Sequence, residues 1–139
     1  MKKFDKSLRS TWRYYWAHWC AFQMVAITLG IWRPKHLFHD WCKPWLKMLG
    51  LQYVDIQFIH RHSTNHHLEW FEVNNESGFD WDSMIIDWEC SQYTKESCCR
   101  NARQEMEHIL NDNPNDDYNL YIKYLLRKHV APRLTRLGL

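Results

Sequence analysis

The sequence predicts an all-α, single-domain helical bundle, and three observations carry that expectation. A chain of 139 residues and 17.2 kDa fits one compact domain with a core large enough to fold unaided. Hydrophobic residues make up 45% and charged residues 24%, the balance of a globular protein rather than a disordered one. Only four Gly and four Pro occur, so turn chemistry is scarce and helices are favoured over many short strands. Nine Trp point to a heavy core, and nine His point to metal or acid–base chemistry.

The elements follow in chain order. Thr11 to Leu29 lacks Pro and Gly and reads as a long first helix stopped by Gly30. Pro34 opens a second helix to about Trp41, carrying His36, His39 and Asp40, which Pro44 bends or restarts. Leu46 to Leu51 continues the apolar pattern. Tyr53, Ile56 and Ile59 recur at helical spacing and predict a third helix over Gln52 to His62, followed by the polar run Ser63-Thr64-Asn65. Val73 to Asp80 reads as a loop. Asp82 or Ser83 is positioned to cap a helix from Met84 through Cys90, in which Ile85, Ile86 and Trp88 surround Asp87. Lys95 to Leu110 reads as an amphipathic helix, Asn111 to Asn115 as a loop, Asp116 to His129 as a last helix, and Pro132 as the start of a short basic tail.

Charge and cysteine content exclude more than they establish. A net charge of +2 without a concentrated basic stripe gives no strong nucleic-acid signal. Five Cys, with Cys98 and Cys99 adjacent and no CxxC pair, fit neither a disulfide framework nor a zinc ribbon, so reduced thiols and a cytoplasmic location are expected. Tyr14 to Trp32 holds no Asp, Glu, Lys or Arg and lies between Arg13 and Arg33, the flank pattern of a marginal membrane span. His18, Gln23 and Thr28 interrupt it, and insertion is not expected because polar groups in hydrocarbon are costly.

The residues that point to chemistry are His18, His39-Asp40, His60, His66-His67 and Asp87, spread over four predicted helices or helix ends. Imidazoles and carboxylates are the ligands that borderline and hard divalent cations accept, and a bundle can project them inward from facing helices. On a helix, His39 and Asp40 would diverge by about 100°, so a shared centre would have to sit over the edge between them. Asp87 among Ile86 and Trp88 is costly if buried without a partner.

The order His, His-Asp, further His, then Asp resembles the HD superfamily of metal-dependent phosphohydrolases. More closely, His39-Asp40-Trp41-Cys42-Lys43, His66-His67-Leu68-Glu69-Trp70 and Met84-Ile85-Ile86-Asp87-Trp88 resemble the HD-x-S-K, H-H-x-E-aromatic and Met-x-x-Asp-Trp blocks of a family of small uncharacterised bacterial and phage proteins. The likeness runs from about Tyr14 to Trp88. Cys42 stands where Ser is usual and Pro44 where Phe is usual. The resemblance implies hydrolysis of a phosphate ester, of a phosphorylated small molecule or nucleotide, by water activated at one or two divalent ions (Mn, Fe, Zn, Ni or Mg). His18, His39, Asp40 and Asp87 would hold the first ion, and His60 with His66 or His67 the second. Asp40 would bridge, Glu69 would orient His66 or a water, and Lys43 and Arg61 would meet phosphate oxygens.

Two other readings keep the same ligands. One is an HD-like iron oxygenase; the other is a non-enzymatic, partner-binding protein whose metal ties helices together. Shorter motifs carry less. His62 and His66 have zinc-clamp spacing, but Ser63 follows where a zincin needs Glu. Glu105-x-x-His108 has no second copy and reads as a solvated face. Cys20, Cys42 and Cys90 read as packing thiols, and the Trp and Tyr stripes as core, with a partner surface or base-stacking wall as the alternative.

Overall fold

The computed structural model describes residues 8–94, 100–112 and 116–139, with side chains from residue 12 onward. It is an all-α bundle, and among the described residues there is no strand. The helices are α1 (Leu8–Thr28), α2 (Cys42–Met48), α3 (Tyr53–Ser63), α4 (Trp81–Thr94), α5 (Ala102–Asn111), α6 (Asp117–Leu125) and α7 (Ala131–Leu137), with 3-10 turns at Pro34–Phe38 and Leu68–Glu72.

Helix α4 is the axis, because both of its faces are apolar. Ile86 and Cys90 pack against Phe22, Val25 and Ala26 of α1. Met84 and Ile85 face a larger core with Phe71, Met106, Leu126 and Leu134, drawn from the Leu68–Glu72 turn, α5 and the C-terminal helices. The ends of these helices are fixed by local chemistry. Gly30 adopts φ +72, and the amides of Gly30 and Ile31 return to the carbonyls of Ile27 and Ala26, the paired bonds that close a helix C-terminus. Asn101 and Gln104 form a reciprocal capping box on α5.

Several boundaries depart from the sequence expectation. Residues 34–41 do not form an α-helix. The chain makes one 3-10 turn to Phe38, then His39 is extended and Asp40 takes φ +56, the single non-glycine residue with positive φ among those described. The α4 cap is Asp80 rather than Asp82 or Ser83: its Oδ1 accepts from the Ser83 amide at 3.1 Å and its Oδ2 from the Ser83 hydroxyl at 2.7 Å. The helix predicted from Lys95 begins at Ala102, and residues 95–99, with Cys98 and Cys99, lie outside the described residues, as do 113–115 of the predicted loop. Pro132 does not start a tail. A π-helical turn at Leu126–Val130 widens the backbone just before it, and Pro132 then occupies the first turn of α7, where no amide hydrogen is needed.

Candidate metal centre

Seven side chains converge between α1, α3 and α4. Helices supply three of them: His18 from α1, His60 from the last turn of α3 and Asp87 from the middle of α4. The others come from irregular backbone. His39 and Asp40 sit in the reversal before α2, and His66 and His67 lead into the second 3-10 turn, pinned to the start of α4 by the Asp80 amide, which donates to the Asn65 carbonyl at 2.7 Å. The 100° constraint of a shared helix is therefore lifted, because His39 and Asp40 lie in a turn. The left-handed conformation at Asp40 costs a non-glycine residue about 1–2 kcal/mol, a cost Asp tolerates better than most. Strain of this kind clusters where side-chain direction matters more than backbone comfort.

The ligand atoms form two groups sharing one carboxylate. In the first, His18 Nε2 lies 3.1 Å from His39 Nε2 and 2.9 Å from Asp87 Oδ1, and His39 Nε2 lies 3.4 Å from Asp87 Oδ1. In the second, His60 Nε2 lies 2.9 Å from His67 Nε2 and from Asp40 Oδ1, with His66 Nε2 at 3.8 Å from the same oxygen. Asp40 Oδ2 points back to the first group, 3.4 Å from His18 Nε2. Metal–ligand bonds of about 2.0–2.1 Å place adjacent ligand atoms about 3.0–3.4 Å apart, for octahedral and tetrahedral shells respectively. Most of these spacings are therefore those of ligands around an ion.

The donors fit a cation on a second ground. Asp40 Oδ1 and His66 Nε2 are buried and make no hydrogen bond, although Asp40 Oδ1 is only 2.9 Å from His60 Nε2. Buried polar atoms are ordinarily paired, so two that face each other unpaired mark a place for a ligand neither can replace. Protonation points the same way. Burial pushes the His39 imidazole down to about 4 and His67 down to about 2, and lowers His60 too. Burial opposes ionisation of Asp40, but Lys43, His39 and His60 outweigh it; for Asp87, His18 and His39 do the same, and both carboxyls lie well below the usual range. Neutral imidazoles beside ionised carboxylates are the states metals bind.

Contacts behind the ligands fix their rings. With Nε2 aimed inward, the His60 Nδ1–H meets Cys42 Sγ at 3.2 Å and the His18 Nδ1–H lies 3.8 Å from Cys90 Sγ. Phe22 stacks on His39 with centroids 3.6 Å apart. Such outer partners hold a ring's tautomer and direction. Cys42 and Cys90 are thus more than packing thiols, whereas Cys20 is exposed.

Clefts open on both sides of the cluster. One, of about 360 Å³, is lined by Tyr14, Lys43, Arg61 and Glu69 with His67 and Asp87 at its floor. The other, of about 490 Å³, reaches His39, Asp40, His60 and His66 past Phe38 and Trp41. Lys43 Nζ donates to Asp40 Oδ2 at 2.6 Å, and Arg61 donates to Glu69 Oε1 at 2.8 Å. The Glu69 carboxylate is therefore held by Arg61 at the cleft wall and not by His66. His62 stands apart, bonded to Glu72, and Glu105 pairs with Arg100. Sequence reasoning missed Tyr14, Phe22 and the outer role of Cys42. Tyr14 was legible as the residue one turn before His18, on which its ring stacks.

Comparison of the chain with protein-family models, curated proteins and solved structures found no match.

Proposed function

We propose that the protein is a metal-dependent phosphohydrolase of the HD-like kind, acting on the phosphate ester of a small molecule, with nucleotides the first class to screen. The observation that carries this reading is one ionised carboxylate, Asp40, spanning two imidazole groups beside a cleft with cationic side chains on its wall. His18, His39, Asp87 and Asp40 Oδ2 are suited to one ion, and His60, His66, His67 and Asp40 Oδ1 to a second. Divalent ions bound there supply Lewis-acid polarisation of a phosphoryl oxygen and bring the pKa of a coordinated water towards neutrality.

The chain's own residues do the rest. Lys43 opposes the negative charge of Asp40 from the cleft side; burial disfavours its charge, but Asp40 and Asp87 hold its pKa above the ordinary lysine value. It therefore enters the reaction as a fixed cation that meets a phosphate oxygen. Arg61, kept in place by Glu69, supplies a second such contact across the cleft. His18, His67 and Asp87 line this cleft, so substrate would approach bound ions from that side.

The test begins with elemental analysis of purified protein, followed by hydrolysis assays on generic phosphodiesters and nucleotides with each candidate metal. His39→Ala, Asp40→Ala and Asp87→Ala are expected to lose bound metal and at least about a thousandfold in rate, several kcal/mol of transition-state stabilisation. Metal content or turnover unchanged in all three variants overturns the proposal. Retained metal with no turnover on any phosphate ester favours a structural ion, and oxygen consumption by an iron-loaded form favours the oxygenase reading.

A further inference from the structure

We propose that the face formed by α1, the Pro34–Phe38 turn and α2 docks the protein onto a bilayer surface carrying anionic lipid, with α1 lying in the interface. This goes beyond the hydrolase reading and does not depend on it. The first observation is that α1 is apolar on both sides. Its inner side packs Phe22, Val25 and Ala26 on α4. Its outer side carries Trp16, Cys20, Met24 and Ile27, spaced by four, four and three residues and so in one stripe, with Met24 and Ile27 68% and 64% exposed. An apolar stripe on the outer side of a helix is ordinarily covered, and among the described residues this one is exposed.

The stripe continues across the neighbouring elements. A narrow apolar groove of about 210 Å³ runs between Trp12, Trp16 and Trp19 of α1 and Leu37, Trp41 and Trp45 beside and within α2. Trp19 Nε1 donates to the Leu37 carbonyl at 2.9 Å, which joins α1 to the turn. Phe38 stands out beside it, 65% exposed. The half-exposed rings of Trp16, Trp41 and Trp45 match the headgroup level of a bilayer, where an apolar body and a polar tip are both satisfied.

Charge selects the kind of surface. Residues 1–48 contain nine Lys or Arg and two acids, whereas residues 49–139 contain nine Lys or Arg and fourteen acids. A net charge of +2 thus conceals a separation along the chain, of which Arg33, Lys35 and Lys43 are paired with Asp82, Asp80 and Asp40 in the fold. Within residues 8–48 the one acid is Asp40, which is buried in the ligand cluster. Arg13 and Lys47 flank the tryptophans on α1 and α2, with no carboxylate from those elements to neutralise them. A face with aromatic rings and basic flanks and without acids complements anionic headgroups. A second copy seated on the same face would bring Arg13 and Lys47 of both chains together, which charge disfavours. Met24, Ile27 and Leu37 offer no π-face on which nucleic-acid bases could stack. Among the described residues no helix is long and apolar enough to cross a membrane, so an in-plane helix is the geometry that uses this stripe.

The experiment is co-sedimentation of the full chain with phosphatidylcholine vesicles, with and without phosphatidylserine, read alongside tryptophan emission. Binding at least about tenfold stronger to the anionic vesicles is expected, since each interfacial Lys or Arg contributes about fivefold, together with a blue shift. Trp16→Glu/Ile27→Glu is expected to lose at least about tenfold, with helical content unchanged by circular dichroism, because two apolar anchors become anions. If that double variant does not fold, quenching of the wild-type tryptophans by vesicles with brominated acyl chains decides the matter: quenching supports the proposal and its absence overturns it. Equal binding to neutral and anionic vesicles overturns it too, as does tighter binding to a single-stranded oligonucleotide, or a concentration-dependent dimer that ignores lipid.

Discussion

Metal removal gives the sharpest test of the shared carboxylate. Two groups of ligands joined by Asp40 should take up two ions per chain, and any species that binds only the folded state stabilises it by mass action. At a free metal concentration of about 100 times Kd, each ion contributes about 2.7 kcal/mol. Unfolding entropy of about 2.1 cal/mol/K per residue gives about 0.3 kcal/mol/K for a chain of this length, so one ion raises Tm by about 9 °C and two by about 18 °C. The arrangement assigns these increments to particular residues. Asp87→Asn strikes the first group and His67→Ala the second, and each is expected to leave one ion and about half of the shift. Asp40→Ala touches both and is expected to abolish nearly all of it. The assay is scanning calorimetry of chelator-treated protein titrated with Mn or Zn, with metal counted by mass spectrometry on the same samples. A full shift in Asp40→Ala, or complete loss of both ions in Asp87→Asn and in His67→Ala alike, would refute the two-group arrangement.

Four further outcomes follow from contacts around the centre. Cys42→Ala removes the sulfur behind His60 and is expected to weaken the second ion by about 10–100-fold in equilibrium dialysis, whereas Cys42→Ser, which keeps an acceptor, should restore most of it. Phe22→Ala opens a cavity against His39 and α4 and should cost about 3–5 kcal/mol in urea unfolding; a loss below about 1 kcal/mol would contradict the packing described. Asp80→Ala deletes the α4 cap and should cost about 1 kcal/mol at neutral pH. Burial raises the Asp80 pKa, but Lys35 and Ser83 outweigh it and leave the folded-state value lower than the unfolded one, so the carboxylate's stabilisation is complete above about pH 4 and fades as pH falls through the folded value. Asp80→Asn, which can still cap, should therefore match wild type in acid more closely than at pH 7. Arg61→Ala should raise KM by about tenfold with kcat little changed, because its guanidinium stands at the cleft wall and touches none of the ligands; an equal fall in kcat and kcat/KM would assign it to the transition state instead.

The sequence made the helical class and the residues of the His/Asp cluster legible, because scarce Gly and Pro and an ordered run of His and Asp are both properties of composition and order. Asp87 shows why: an acid flanked by Ile86 and Trp88 in a core helix had to meet a partner, and it meets His18 and His39. Positions set by tertiary contact were not legible. Nothing local marks Asp40 for φ +56, since the helix period reads straight through Phe38-His39-Asp40-Trp41; the reversal arises because α2 must start there while two imidazoles and a carboxylate turn inward. The cap of α4 is ambiguous in sequence because Asp80, Asp82 and Ser83 are all good cap residues; in the fold the Asp80 amide bonds to Asn65 and its carboxylate accepts from Ser83. From sequence Pro132 reads as the start of a tail because a π-turn, which makes it harmless, has no residue signature.

The origin of the ligands bears on whether an ion here would act or merely hold. His39-Asp40 and His66-His67 stand on short irregular segments whose neighbouring elements, α2 and α3, expose Trp45, Met48, Val54 and Phe58 and bury little. Around them the apolar core is thin, while the main core lies on the far side of α4. Ions at Asp40 would therefore tie the segments around α2 and α3 to α4, and folding and metal affinity would rise together. A purely structural tie, however, is best served by a closed shell buried from solvent. Here Asp87 and His67 are the less buried members of the set, both border the same cleft, and that cleft carries Lys43 and Arg61 on its wall. Side chains placed so that a cation would be approachable from a cleft with Lys43 and Arg61 on its wall suit an anionic substrate such as a phosphate ester, which a tie does not need.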